Sequence, residues 1–221
     1  MIGAAGTAYD LQPSMREIGM AGIQQRQPAR ISREWFRGFV ECRPDEESWQ
    51  LIDGVAVMMA PPTLAHQRIA SNLQRLLEDA LECHNPAMTA FQRGGVELGP
   101  SVPDYDPEPD VLVVDADASL DPKKRYADRF YLAAEIVSES DQVYVEKKRD
   151  IYKVHDACMC VLIVQQDRVE VQVDLRTGPG WGEQVLTELD DQLVLADFGL
   201  RCKVSDLYRG TALAPRRAPP A

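Results

Sequence analysis

Apolar positions recur along this chain at two periods, one helical and one alternating. Behind Ser32, a good N-cap, Trp35, Phe36, Phe39 and Val40 fall at helical spacing and predict a helix over 31–41. "SWQLIDGVAVMMA" (48–60) predicts a hairpin turning on Asp53-Gly54. Pro61, Pro62 and the capping residue Thr63 introduce a long helix to His84, with Leu64, Ile69, Leu73, Leu76, Leu77 and Leu81 on its apolar side. "AMTAFQRGGVELGP" (87–100) predicts a strand pair or a bent strand with Gly94-Gly95 in its middle. A short strand from Asp110 to Val114 follows a proline-rich approach, and Tyr131 to Val137 reads as a buried strand. The span 142–155 predicts a helix, and "CMCVLIVQQDRVEVQVDLR" a hairpin turning at Gln166-Asp167-Arg168. Short strands and a terminal helical turn complete the pattern up to Tyr208. Helices stand early and in the middle with strands grouped between them, which predicts an α/β or α+β mixed domain around one central sheet.

Residues 1–29 show no sustained period and read as a mobile arm, and 210–221 as a tail, leaving one domain over 30–209. Hydrophobic residues make up 45% of the 221, enough for a sizeable core without disulfides. No apolar run approaches the ~18 residues of a membrane span, and the first residues lack the basic start and apolar block of a secretory signal. The five cysteines are odd in number. Cys158 and Cys160 would point the same way in a strand, but no second pair completes a zinc site, so reduced cysteines in a cytoplasmic protein are expected. A net charge of −11 argues against a broad basic face for duplex DNA and leaves room for a local basic groove.

Candidate chemistry centres on an acid inside the buried strand. Burying an ionised Glu135 is costly unless it is paired, hydrogen-bonded or bound to a metal. If the strands bearing Asp110 and Glu135 are neighbours, both carboxylates reach one point, and a shared proton, a cation or a metal must relieve their repulsion. Oxygen donors suit Mg²⁺ or Mn²⁺ better than zinc. On the following helix Val143, Tyr144, Ile151, Tyr152, Val154 and His155 mark an apolar arc, and Lys147 and Lys148 both project from it. Glu146, Arg149 and Lys153 fall opposite. Periodicity does not choose between the two lysines.

"WQLIDGVAVMMAPPTLAHQRIASNL", "PEPDVLVVD", "LAAEIVSES", "KRDIY" and "CVLIVQQDRVEVQVDL", in that order over roughly 31–208, resemble a branch of the PD-(D/E)XK nuclease superfamily, the restriction-endonuclease branch whose lysine has moved to the next helix. The resemblance implies a mixed sheet flanked by helices, Mg²⁺-dependent phosphodiester hydrolysis of DNA, and a homodimer. It makes Asp110 and Glu135 the metal-binding acids and the backbone carbonyl of Ile136 a third ligand. A Lys-x-x-x-Tyr pattern selects Lys148, ahead of Tyr152, as the catalytic lysine; the superfamily's usual lysine position holds Val137. The branch also commonly carries an Asp where Tyr144 stands and a Glu where Gln50 stands.

Each residue also has a plainer reading. Asp110 caps a turn, and Glu135 with Lys148 forms a structural ion pair. His66 contacts a phosphate or orients a water, or is simply a partly buried helix residue; His84 and His155 are structural. Asp104, Asp106 and Glu108 bind a second metal or form a solvated acidic loop. Arg68, Arg75, Arg93 and Lys123-Lys124-Arg125 contact phosphates or are ordinary surface charge. Two functions from different classes follow: a metal-dependent nuclease, or a binding or regulatory protein that keeps the fold with a weakened site. Hydrolysis of a small phosphate ester is a third, requiring a pocket too narrow for a nucleic-acid strand.

Overall fold

The structure, a computed structural model, describes residues 30–44, 46–121, 123–137 and 142–214. The predicted arm over 1–29 and the end of the predicted tail, 215–221, lie outside the described residues. Helix α1 spans Arg33–Glu41, with the Ser32 side chain accepting from the Trp35 amide. Strands β1 (Ser48–Ile52) and β2 (Val55–Met59) form the predicted hairpin. Asp53 and Gly54 both have positive φ, at 55° and 73°, the backbone of a two-residue turn matched to strand twist. Helix α2 (Leu64–His84) starts on the Thr63 cap.

The central sheet has six strands, and six more short strands surround it. In chain order they are β3 (Met88–Gln92), β4 (Gly95–Val96), β5 (Val111–Asp115), β6 (Tyr126–Ala127), β7 (Phe130–Val137), β8 (Cys160–Gln165), β9 (Val171–Thr177), β10 (Gly180–Leu186), β11 (Gln192–Leu195) and β12 (Leu200–Lys203). Helix α3 (Gln142–Val154) joins β7 to β8, and α4 (Val204–Leu207) ends the domain. The sheet order is β10-β9-β8-β7-β5-β3. Only β7 and β8 pair parallel within it, which requires a crossover, and α3 is that crossover. On one face α2, α4 and the β11–β12 hairpin bury Ile69, Leu73, Leu77, Leu132, Leu162, Phe198 and Tyr208. On the other, α3 and the β4–β6 pair cover Leu112, Phe130, Val161 and Tyr152. All eight residues of β7 are buried, so any polar side chain on it must find a partner inside the protein.

Several expectations change. The strand begins at Val111, leaving Asp110 in the bend before it. The 87–100 segment is neither a hairpin nor one strand: β3 joins the central sheet and β4 pairs parallel with β6. A Cβ on Gly95 would stand 2.4 Å from the Tyr126 ring, so that close passage needs glycine. Cys158 precedes β8 and packs toward α3, whereas Cys160 faces α2, so the two do not share a face. All five cysteines are free. Tyr144 and Val154 are exposed, and the inward arc of α3 runs through Val145, Lys148, Ile151 and Tyr152. Arg149 and Lys153, expected on the solvent side, lean onto the fully buried Asp174 of β9. The acidic approach is not a solvated loop either: Asp106 is buried against Arg37. Among the described residues no helix is long and apolar enough to cross a membrane.

Candidate active site

β5 and β7 are antiparallel neighbours with Val111 opposite Ala134, so Asp110 lies one step beyond that pair, beside Glu135. The Asp110 Oδ2 accepts from the Ile136 amide at 2.8 Å, which ties the bend to β7. Its Oδ1 lies 3.0 Å from Nε2 of His66, in the first turn of α2. From the crossover helix, Lys148 reaches both oxygens of Glu135, at 3.1 and 3.0 Å. One turn later the Tyr152 hydroxyl donates to Glu135 Oε1 at 2.6 Å. Glu135 and Lys148 are 4% and 3% exposed, yet both line a cleft of about 260 Å³ with Asp110, Gln50, Glu108 and His66.

Burial pushes the Glu135 carboxyl up, the Lys148 ammonium pulls it back, and Asp110 pushes it up again. Glu135 therefore sits between the Lys148 ammonium and a second carboxylate, Asp110. Tyr152 is held well above its ordinary value by burial and by Glu135, so it stays a donor. Glu108 is also pushed up by loss of hydration. Gln50 is 5% exposed; its Nε2 makes only a long 3.5 Å contact to the Glu108 carbonyl, and its Oε1 has no hydrogen-bond partner.

The structure thus brings together Asp110, Glu135, Lys148 and His66. It separates Lys147, which is exposed and paired with Asp53 at 2.8 Å. His155 packs against the Phe130 ring. Of the candidate acids and arginines, the cleft takes in Glu108 and Arg93; the Asp174 ion cluster was not anticipated. No local signal marked Asp174: it falls with Gln172 and Arg176 on the polar phase of the alternating strand Val171–Thr177. Arg93 carries φ +55°, a backbone state that no periodicity shows.

Comparison with known proteins decides the kinship. The family Uma2, described as "Putative restriction endonuclease", matches residues 36–205. The chain belongs to that family. Its fold is similar to the crystal structure of "a putative nuclease belonging to DUF820" from Anabaena variabilis ATCC 29413. The TM-score is 0.59 at 18% identity, covering 77% of this chain and 94% of that one. A search of curated proteins finds no match. The restriction-endonuclease-like fold expected from the sequence is the one observed: a central mixed sheet flanked by helices with added hairpins. Membership of this family supports nuclease function, and restriction-endonuclease-like proteins generally use divalent metals.

Proposed function

We propose that this protein is an endonuclease that hydrolyses phosphodiester bonds of DNA with Mg²⁺ or Mn²⁺, and that Asp110, Glu135 and Lys148 carry the chemistry. One observation supports this most: the Asp110 carboxylate, just before β5, comes beside Glu135 of β7, whose carboxylate meets the buried Lys148 ammonium at the wall of an open cleft.

The residues present fit a hard divalent cation. Asp110 and Glu135 offer carboxylate oxygens, the Ile136 carbonyl is the third ligand of the proposal, and Gln50 Oε1 is buried on the cleft wall without a partner. Among the described residues no three His, Cys, Asp or Glu side chains form a metal cluster, so the carbonyl and water complete the set. When bound, the cation polarises a phosphoryl oxygen and lowers the pKa of a bound water. Lys148 orients the attacking water and offsets charge on the phosphate. Tyr152 fixes the Glu135 carboxylate through its 2.6 Å hydrogen bond, and His66 fixes Asp110. The homodimer implied by the resemblance and the cytoplasmic residence expected from the free cysteines belong to this proposal, and light scattering tests the first.

A second reading, a binding protein on the same fold, draws on Gln50 and Tyr144, neutral residues on the cleft wall where the resemblance implies acids. Calorimetry with Mn²⁺ and a plasmid-nicking assay separate the two. Wild type is expected to bind and nick, and Glu135→Gln to lose both. A folded wild type that takes up no Mn²⁺ leaves the binding-protein reading standing.

A further inference from the structure

Beside the candidate active site lies a second cleft, of about 480 Å³. Arg93 and Glu108 line both clefts, so the two adjoin across one wall. The second cleft is apolar at its base, with buried Leu112 and Val114 and the half-buried rings of Phe91 and Tyr126. Lys124 and Arg125 stand exposed on its rim. Gly94 and Gly95 keep the chain above it close to Leu112 and Tyr126.

Arg93 is held unusually firmly for an exposed residue. Its backbone sits at φ +55°, where a non-glycine residue is held only by its surroundings. Its amide donates to the Asp110 carbonyl at 3.3 Å, and its guanidinium donates to Ser48 Oγ at 2.9 Å. The dividing wall thus carries a fixed guanidinium, the group best suited to a phosphate, and that cation offsets Glu108.

We propose that the second cleft seats the base of the nucleotide next to the scissile phosphate, with Arg93 on the phosphate that links the two clefts. This rests on the nuclease reading of the neighbouring site. The rings and aliphatic floor offer a base stacking and apolar contact. Asp121, on the rim, disfavours a phosphate there and accepts from a base N–H or amino group. The order of charge is that of a nucleotide: cation at the dividing wall, apolar surface beyond it.

The test is calorimetry on the full chain with each of the four deoxynucleoside 3′,5′-bisphosphates and with the abasic deoxyribose 3,5-bisphosphate. At least one nucleoside form is expected to bind about tenfold tighter than the abasic one, the scale of a base–aromatic stack. Ala118→Phe, which fills the half-buried edge of the cleft, removes that difference while Mn²⁺ binding persists. Should that variant melt early, Phe91→Leu takes a ring from the wall and reads the same quantity. Arg93→Asn weakens both ligand types alike, since asparagine tolerates the left-handed backbone. Equal binding of abasic and nucleoside forms by wild type, or a difference that survives Ala118→Phe and Phe91→Leu, overturns the proposal. Base discrimination without Mn²⁺ binding sinks the nuclease reading and leaves this cleft standing; Mn²⁺ binding without discrimination does the reverse.

Discussion

Helix α3 carries two buried ion clusters from adjacent residues, and they differ in one respect. Lys148 meets Glu135 of β7, and Arg149 meets Asp174 of β9. Asp174 is fully buried and faces two cations, Arg149 and Lys153, with Glu183 closing the outside. The exposed Glu146 also pairs with Arg149, so every charge in this cluster has a side-chain partner of the opposite sign. Glu135 holds the Lys148 ammonium with the carboxylate of Asp110, itself held by His66, close by, and an open cleft lies beside them. Similar groups on one helix thus build a closed girder in one place and an anionic receptor in the other. Burial of an ion pair does not mark function; a second carboxylate beside it and an open side do.

The largest expected effects come from removing one partner in each cluster. Asp174→Ala leaves Arg149 and Lys153 only the exposed Glu183 and Glu146 as partners and should cost about 3–5 kcal/mol of stability, with Mn²⁺ affinity of the folded fraction unchanged. Denaturant melts with calorimetry check this, and an equal loss of metal binding would erase the contrast. Lys148→Met leaves Glu135 buried without its cation and should lower nicking by roughly 10²-fold or more, while saturating Mn²⁺ restores much of the lost stability. Activity within twofold of wild type would remove Lys148 from the chemistry.

Metal linkage comes next. Mn²⁺ at about a hundredfold over Kd should stabilise wild type by about 2.7 kcal/mol. Asp174→Asn should keep that gain and Glu135→Gln should lose it; a gain retained by Glu135→Gln places the ion elsewhere.

The pH dependence is smaller. Burial raises the Glu135 carboxyl above its ordinary 4.5 in the folded protein. Its protonated form is therefore favoured by folding, and that contribution is present below about 4.5 and lost as pH rises through the raised value. Metal-free wild type should lose stability relative to Glu135→Gln across that window, and Mn²⁺ should flatten the difference. Parallel curves would mean that Lys148 alone fully compensates the charge. The smallest effect belongs to Lys147→Ala, next in sequence to Lys148 but exposed. Its change in stability should stay within about 0.5 kcal/mol, measured by thermal melts, and a larger loss would show that the Asp53 contact is structural.

The sequence made Asp110 and Glu135 stand out because an acid after proline and an acid inside an apolar strand are both anomalies. It left Lys147 and Lys148 open, since both border the apolar arc and neighbouring positions differ by about 100° around a helix. It misplaced Arg149 and Lys153 because their partner, Asp174, comes from a strand that only the β8–β9 hairpin brings under α3. It treated 104–108 as a solvated loop because no local pattern shows that Arg37 of α1 covers Asp106.

By itself, the sequence determined the elements and their caps: the Ser32 and Thr63 N-caps, the Asp53-Gly54 turn, the buried run from Tyr131 to Val137, and the family. These rest on local sterics and hydrophobic period, which act over a few residues. Tertiary structure alone decided which charges balance. It set Asp110 beside Glu135 by strand order, turned Lys148 inward and Lys147 outward, and joined two clefts at Arg93. Charge balance is a sum over neighbours far apart in the chain, and only packing brings those neighbours together.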